Sequence, residues 1–114
     1  AYLKTREMYA AEAEAGKLVV KKAPDTLKPV IADAHSEYNE RTTVEAKFVK
    51  AVDAFEPLIQ IYSPFGESII KKNRTTPANS RASKDPHIIH FPVMWVYYET
   101  IHRTMIEEGY FNHD

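Results

Sequence analysis

Three charged side chains on one apolar stretch are the first candidates for chemistry. Asp53 lies between Val52 and Ala54, with Lys50 three positions before it and Glu56 three after. On a helix this spacing puts the three roughly on one side, as a carboxylate–ammonium–carboxylate strip. Two readings follow. Charged residues are mostly exposed, so the strip is a surface feature with weak i,i+3 pairs worth a few tenths of a kcal/mol. Alternatively, a carboxylate set into an apolar helix is held by a cation or a metal.

The histidines offer less. His87 and His90 have an H-x-x-H spacing, which brings two imidazoles near one metal only on a helix. Asp85-Pro86 and Phe91-Pro92 flank the pair, and the residue before a proline avoids helical backbone, so no helix is expected there. A zinc-type site would still need further ligands. His113-Asp114 ends the sequence and is expected to fray. His35 and His102 stand alone, as interface or surface residues. Glu12 and Glu14 are two apart and face different ways, so they are no acid–base pair. Lys71, Lys72, Arg74, Arg81 and Lys84 form a loose basic set. It reads as a solvated loop, or else as a contact for phosphate or an acidic partner. No glycine-rich phosphate loop, G-x-S-x-G or zinc-protease motif occurs.

Helices must position these residues. Only 3 glycines occur in 114 residues, and alternating β-branched runs are scarce, which favours an all-α fold. Lys4–Lys22 is rich in strong helix formers. Leu27, Val30, Ile31, Ala34 and Tyr38 form a helical stripe through about 26–40. Thr42 with Glu45 reads as a capping box. The next helix starts near Val44 and carries Phe48, Val49, Val52, Phe55, Leu58, Ile59 and Tyr62, with a kink rather than a stop expected at Pro57. Ser63–Gly66 is a turn, and a short helix follows over about 67–72. Residues 73–86 are polar and read as an exposed loop. A last helix starts at about Pro92 and buries Met94, Trp95, Tyr98, Ile101, Met105 and Ile106, with Gly109 ending it. Four main helices in one domain are expected. Trp95, Tyr97 and Tyr98, with Tyr110 and Phe111, exceed what so small a bundle buries and point to an interface.

Composition narrows the partners. There are 15 basic and 16 acidic residues, a net charge of −1, without the basic excess that nucleic-acid binding needs. The absence of cysteine excludes disulfides and thiolate metal sites and is compatible with a reducing compartment. No apolar run reaches the ~20 residues of a membrane span, and no secretory signal is visible. The sequence opens on Ala-Tyr-Leu-Lys without Met, as expected of a trimmed fragment as much as of a native start.

The stretch Thr43-Val44-Glu45-Ala46-Lys47-Phe48-Val49-Lys50-Ala51-Val52-Asp53-Ala54-Phe55-Glu56-Pro57-Leu58-Ile59-Gln60 resembles the helix bearing the last aspartate in the 5′-deoxynucleotidase-like branch of the HD-domain phosphohydrolases. Thr5-Arg6-Glu7 with Glu12-Ala13, and Tyr38 to Thr43, agree with the approaches to that helix. The resemblance runs from about Thr5 to Tyr62. It implies a C-terminal part of a helical HD-like bundle and a divalent metal held by a His, a His-Asp doublet and a distant Asp. Asp53 is the distant Asp on this match, with Lys50 and Glu56 as candidates to orient it or contact phosphate. The first His and the doublet lie N-terminal to the matched segment, so they must come from a preceding segment or another chain. The implied substrate is a nucleoside monophosphate or similar small phosphate, in the cytoplasm, with a tendency to pair as dimers. The alternative is a non-catalytic HD-like subunit of a larger assembly, in which Asp53 pairs with Lys50.

Overall fold

A computed structural model describes residues 4–113. Among them the order is α1 (Arg6–Lys22), α2 (Lys28–Glu40), α3 (Val44–Ile61), α4 (Gly66–Lys72), α5 (Pro77–Ile88) and α6 (Pro92–Glu107), with no strand. The fold is all-α, as expected. The described residues divide into two compact units, Lys4–Lys47 and the residues from Phe48 onward.

In the first unit, α1 and α2 pack on each other. Thr5 caps α1, its hydroxyl accepting from the Met8 amide at 3.3 Å. Pro29 falls in the first turn of α2, where its missing N–H is harmless. His35 lies beside Gly16: a Cβ added at Gly16 would stand 3.6 Å from the His35 ring. His35 itself is exposed. Neither helix contains a buried residue. The α2 stripe is therefore only half withdrawn from water, with Ile31 and Tyr38 half-buried but Leu27 and Val30 exposed. Arg41 ends α2 in the left-handed region, φ 55°, its amide donating to the Glu37 carbonyl at 3.0 Å. The α3 cap is Thr43 rather than Thr42: its hydroxyl accepts from the Ala46 amide at 3.1 Å. The serviceable hydroxyl is the one immediately before the first helical residue.

The second unit holds a core of Ala54, Leu58, Ile70, Ile88, Tyr98, Met105 and Phe111. Helix α3 runs through Pro57 without stopping. Its buried positions are alanines and one leucine, while Phe48, Val49, Val52 and Ile59 remain exposed. At the next corner the Gly66 amide donates to the Ser63 carbonyl at 3.0 Å and to its hydroxyl at 3.2 Å. A Cβ at Gly66 would lie 1.6 Å from the Ile61 carbonyl oxygen, so only glycine fits. Helix α4 ends in a Schellman turn. Thr75 N donates to Ile70 O at 3.0 Å and Arg74 N to Lys71 O at 3.1 Å, with Arg74 at φ 52°. Gly109 closes α6 in the same way, at φ 76°, with Tyr110 N donating to Met105 O at 2.9 Å.

The expectation of an exposed loop over 73–86 is corrected, since most of it is α5. Thr76 and Asn79 form a reciprocal capping box, Pro77 occupies the first turn, and Pro86 is accommodated inside the helix. Polar composition outweighed the capping signal in the sequence reading. Helix α5 thus joins the four main helices and the short α4 that the sequence predicts.

The segment after α6 packs back on the unit. Asn112 donates its amide to Thr75 O at 2.9 Å and its side-chain Nδ2 to Ile70 O at 3.1 Å and Thr75 O at 3.0 Å. Lys71 Nζ donates to the Phe111 carbonyl at 2.6 Å.

Candidate functional site

Helix α3 presents Asp53 with its side chain 58% exposed, and Lys50 Nζ donates to Asp53 Oδ2 at 3.1 Å, the Lys50 side chain being 17% exposed. The spacing places both on one face, one turn apart, as read from the sequence. Glu56 is also exposed, and the described hydrogen bonds do not join it to Asp53 or Lys50.

A second lysine, on α5, meets α3 one residue further along. Lys84 Nζ donates to the Ala54 carbonyl at 3.0 Å. Burial holds the Lys84 ammonium below the usual lysine range; Asp53 opposes that shift and the like charge of Lys50 adds to it. Lys84 therefore lies within electrostatic reach of both. Of the loose basic set, Lys84 meets α3 at the Ala54 carbonyl. Arg81 joins a different network, and Lys71 ties down the C-terminal segment. Lys84 lies in a stretch whose polar composition suggests a loop, so no helical register in the sequence points it at α3.

That other network links α5 to α6. Arg81 Nε donates to Asp85 Oδ2 at 3.2 Å, and its Nη2 donates to Glu99. Tyr98 Oη donates to Asp85 Oδ1 at 2.6 Å. The Arg81 guanidinium also lies 5.7 Å from the Trp95 ring and 5.6 Å from the Tyr98 ring. Burial, and then the bond to Asp85, push the Tyr98 phenol far above the ordinary tyrosine range. Tyr98 thus remains a neutral donor and Asp85 the acceptor, an arrangement that fixes helices rather than one that exchanges protons.

His102 is not at an interface or surface; it is wholly buried between Tyr98 and Phe111. Neither ring nitrogen has a hydrogen-bond partner among the described residues. Burial, and next the positive charge of Arg81, hold its imidazole below the usual histidine range. The sequence signal was its position three residues before Met105 and four after Tyr98, on the buried side of α6, a stripe from which exposed Ile106 departs. His87 sits half-buried in the last turn of α5, which corrects the expectation of no helix there, and His90 is exposed beyond it. His113 is exposed, while Asp114 lies outside the described residues. Of the aromatic cluster, Tyr98 and Phe111 enter the core, Trp95 and Tyr110 flank it, and Tyr97 is exposed.

The fold and site together define an all-helical protein in which a solvent-facing carboxylate on α3 is paired with a lysine one turn earlier. The family model for the HD domain matches residues 2–91, and the chain belongs to the HD-domain family. The match extends past the stretch of sequence resemblance on both sides and includes Asp53, Lys50 and Lys84. No curated protein and no solved structure matches the chain. Among the described residues no group of three or more His, Cys, Asp or Glu side chains is placed to hold a metal ion. One carboxylate does not complete a coordination sphere, so these residues alone do not fit the divalent metal the family implies. No helix among them is long and apolar enough to cross a membrane.

Proposed function

We propose that this chain is the C-terminal part of a divalent-metal-dependent HD-domain phosphohydrolase of the 5′-deoxynucleotidase-like branch. Its substrate is a nucleoside monophosphate or similar small phosphate in the cytoplasm. Asp53 supplies one metal ligand. The His and His-Asp ligands come from a preceding segment or from another chain, and a homodimer is one form the assembly takes. What supports the reading is the HD-domain match across residues 2–91 with Asp53 solvent-facing on its helix. Lys50 and Glu56 are the candidates to orient the Asp53 carboxylate or to contact phosphate, and the Lys50–Asp53 bond at 3.1 Å supports the first role for Lys50. The test compares wild type with Asp53→Ala in protein that carries the family's His and His-Asp ligands together with this chain. The expected result is loss of bound metal and a fall in phosphate release of about 100-fold. Unchanged metal content and rate would end the assignment.

The Lys50–Asp53 ion pair favours a second reading, a non-catalytic HD-like subunit in which Asp53 is already satisfied by a lysine. On that reading the intact protein has no partner chain supplying His and His-Asp, and it binds no divalent metal. Intact mass and identification of co-purifying chains separate the two.

A further inference from the structure

The His102 ring lies between two aromatic walls that are held differently. On one side Tyr98 is wholly buried in the core, its ring 5.7 Å from the imidazole and its hydroxyl bonded to Asp85 at 2.6 Å. On the other side stands Phe111, its ring 4.8 Å away, carried by the segment that follows α6. That segment is a strap tied to the end of α4. Lys71 Nζ donates to the Phe111 carbonyl at 2.6 Å, and Asn112 donates to Ile70 and Thr75 from its amide and its side chain. A few hydrogen bonds and one buried ring thus complete the wall over His102.

Protonation is the event this wall does not accommodate. An imidazolium carries a full charge and two N–H donors, and neither nitrogen has an acceptor among the described residues. The charged groups that face the ring are Arg81, Lys84 and Asp85 from α5 and Glu99 from α6. Both carboxylates are already bonded to Arg81. From α4, Lys71 is bonded to the strap, and His113 on the strap itself is exposed. The attraction of a cation to ring faces is small beside the hydration that burial removes. Tyr98 is fixed by the core and by Asp85, so Phe111 is the wall that yields.

We infer that the segment 110–113 is an acid-released strap: a proton on His102 expels Phe111 from its seat and frees the segment from α4, while α4, α5 and α6 stay folded. The inference is independent of the phosphohydrolase reading. Because burial disfavours the charged ring, the closed strap is favoured above the ordinary histidine value of 6.5 and gives way as pH falls below it.

The experiment measures amide hydrogen exchange of the full chain by NMR from about pH 7.5 down to about pH 5, with the His102 ring titrated in the same samples. The Asn112 amide, which donates to Thr75 at 2.9 Å, reports the strap, and the Met105 amide reports α6. Corrected for intrinsic exchange, Asn112 protection is expected to fall about tenfold per pH unit once below 6.5, as one proton is taken up on opening. Met105 protection should stay at least about 100-fold higher. His102→Phe should keep Asn112 protected throughout, and His113→Asn should leave the acid step in place. Lys71→Met, which cuts one tie, should lower Asn112 protection about tenfold at every pH with the slope unchanged. The inference is overturned if Asn112 stays protected where the His102 ring is protonated, or if its protection falls equally in His102→Phe. It is also overturned if Met105 loses protection in step with Asn112, which is global unfolding. Should His102→Phe not fold, the wild-type ring titration set against the Asn112 curve decides alone.

Discussion

The Phe111 ring lies 4.8 Å from the His102 ring, which is wholly buried and has no hydrogen-bond partner at either nitrogen among the described residues. Protonating His102 would put a charge between two aromatic rings under the segment that runs back over α4. The charged groups around it are Arg81, Lys84, Asp85 and Glu99, and burial followed by Arg81 lowers its pKa.

The pH dependence follows from that direction. The ordinary histidine value is 6.5, and below it the unfolded chain takes a proton that the folded chain resists. Stability should rise with pH up to about 6.5, be complete above it, and be lost as pH falls below it. Urea unfolding at a series of pH values checks this. His102→Phe should flatten the curve over that window, and an equally steep curve in the variant would remove His102 as its source.

Gly66 should not tolerate alanine. The added methyl would meet the Ile61 carbonyl, backbone that cannot swing aside. Gly66→Ala is expected to destabilise the protein by about 3 kcal/mol or more, read as a lower urea midpoint at unchanged slope.

Arg74 occupies the left-handed position of the α4 Schellman turn at φ 52°. Glycine adopts that backbone without the side-chain penalty, so Arg74→Gly should stabilise by about 1 kcal/mol. A melting temperature at or below wild type would argue that the Arg74 side chain supports the turn.

Removing the Tyr98 hydroxyl takes from Asp85 a 2.6 Å bond in a largely buried setting. Tyr98→Phe should cost about 1.5–3 kcal/mol. In a double-mutant cycle with Asp85→Asn the two losses should be strongly less than additive. Additive losses would mean that the bond does not bind α6 to α5.

Helix type and approximate bounds were legible wherever apolar spacing was regular, as for α1, α2, α3 and α6. Asp53 and Lys50 were legible as a pair because i,i+3 spacing fixes their proximity. Helix α5 was not legible, because its stability rests on a Thr76–Asn79 cap and two buried residues, Ser80 and Ile88, in an otherwise polar stretch. Lys84 was lost with it: its meeting with Ala54 spans thirty positions and leaves no local trace. The burial of His102 is not legible, because it is decided by Tyr98, Arg81 and Phe111 around it, not by its own polarity.

The contact between Lys84 and Ala54 makes helix docking and local charge a single variable. When α5 lies against α3, the Lys84 charge is held at the Ala54 carbonyl, within electrostatic reach of Asp53; if α5 lifts away, that charge leaves with it. The electrostatic potential at the carboxylate thus reports whether the helix is seated. Any agent that neutralises Lys84, such as acetylation, would remove the brace and the charge together.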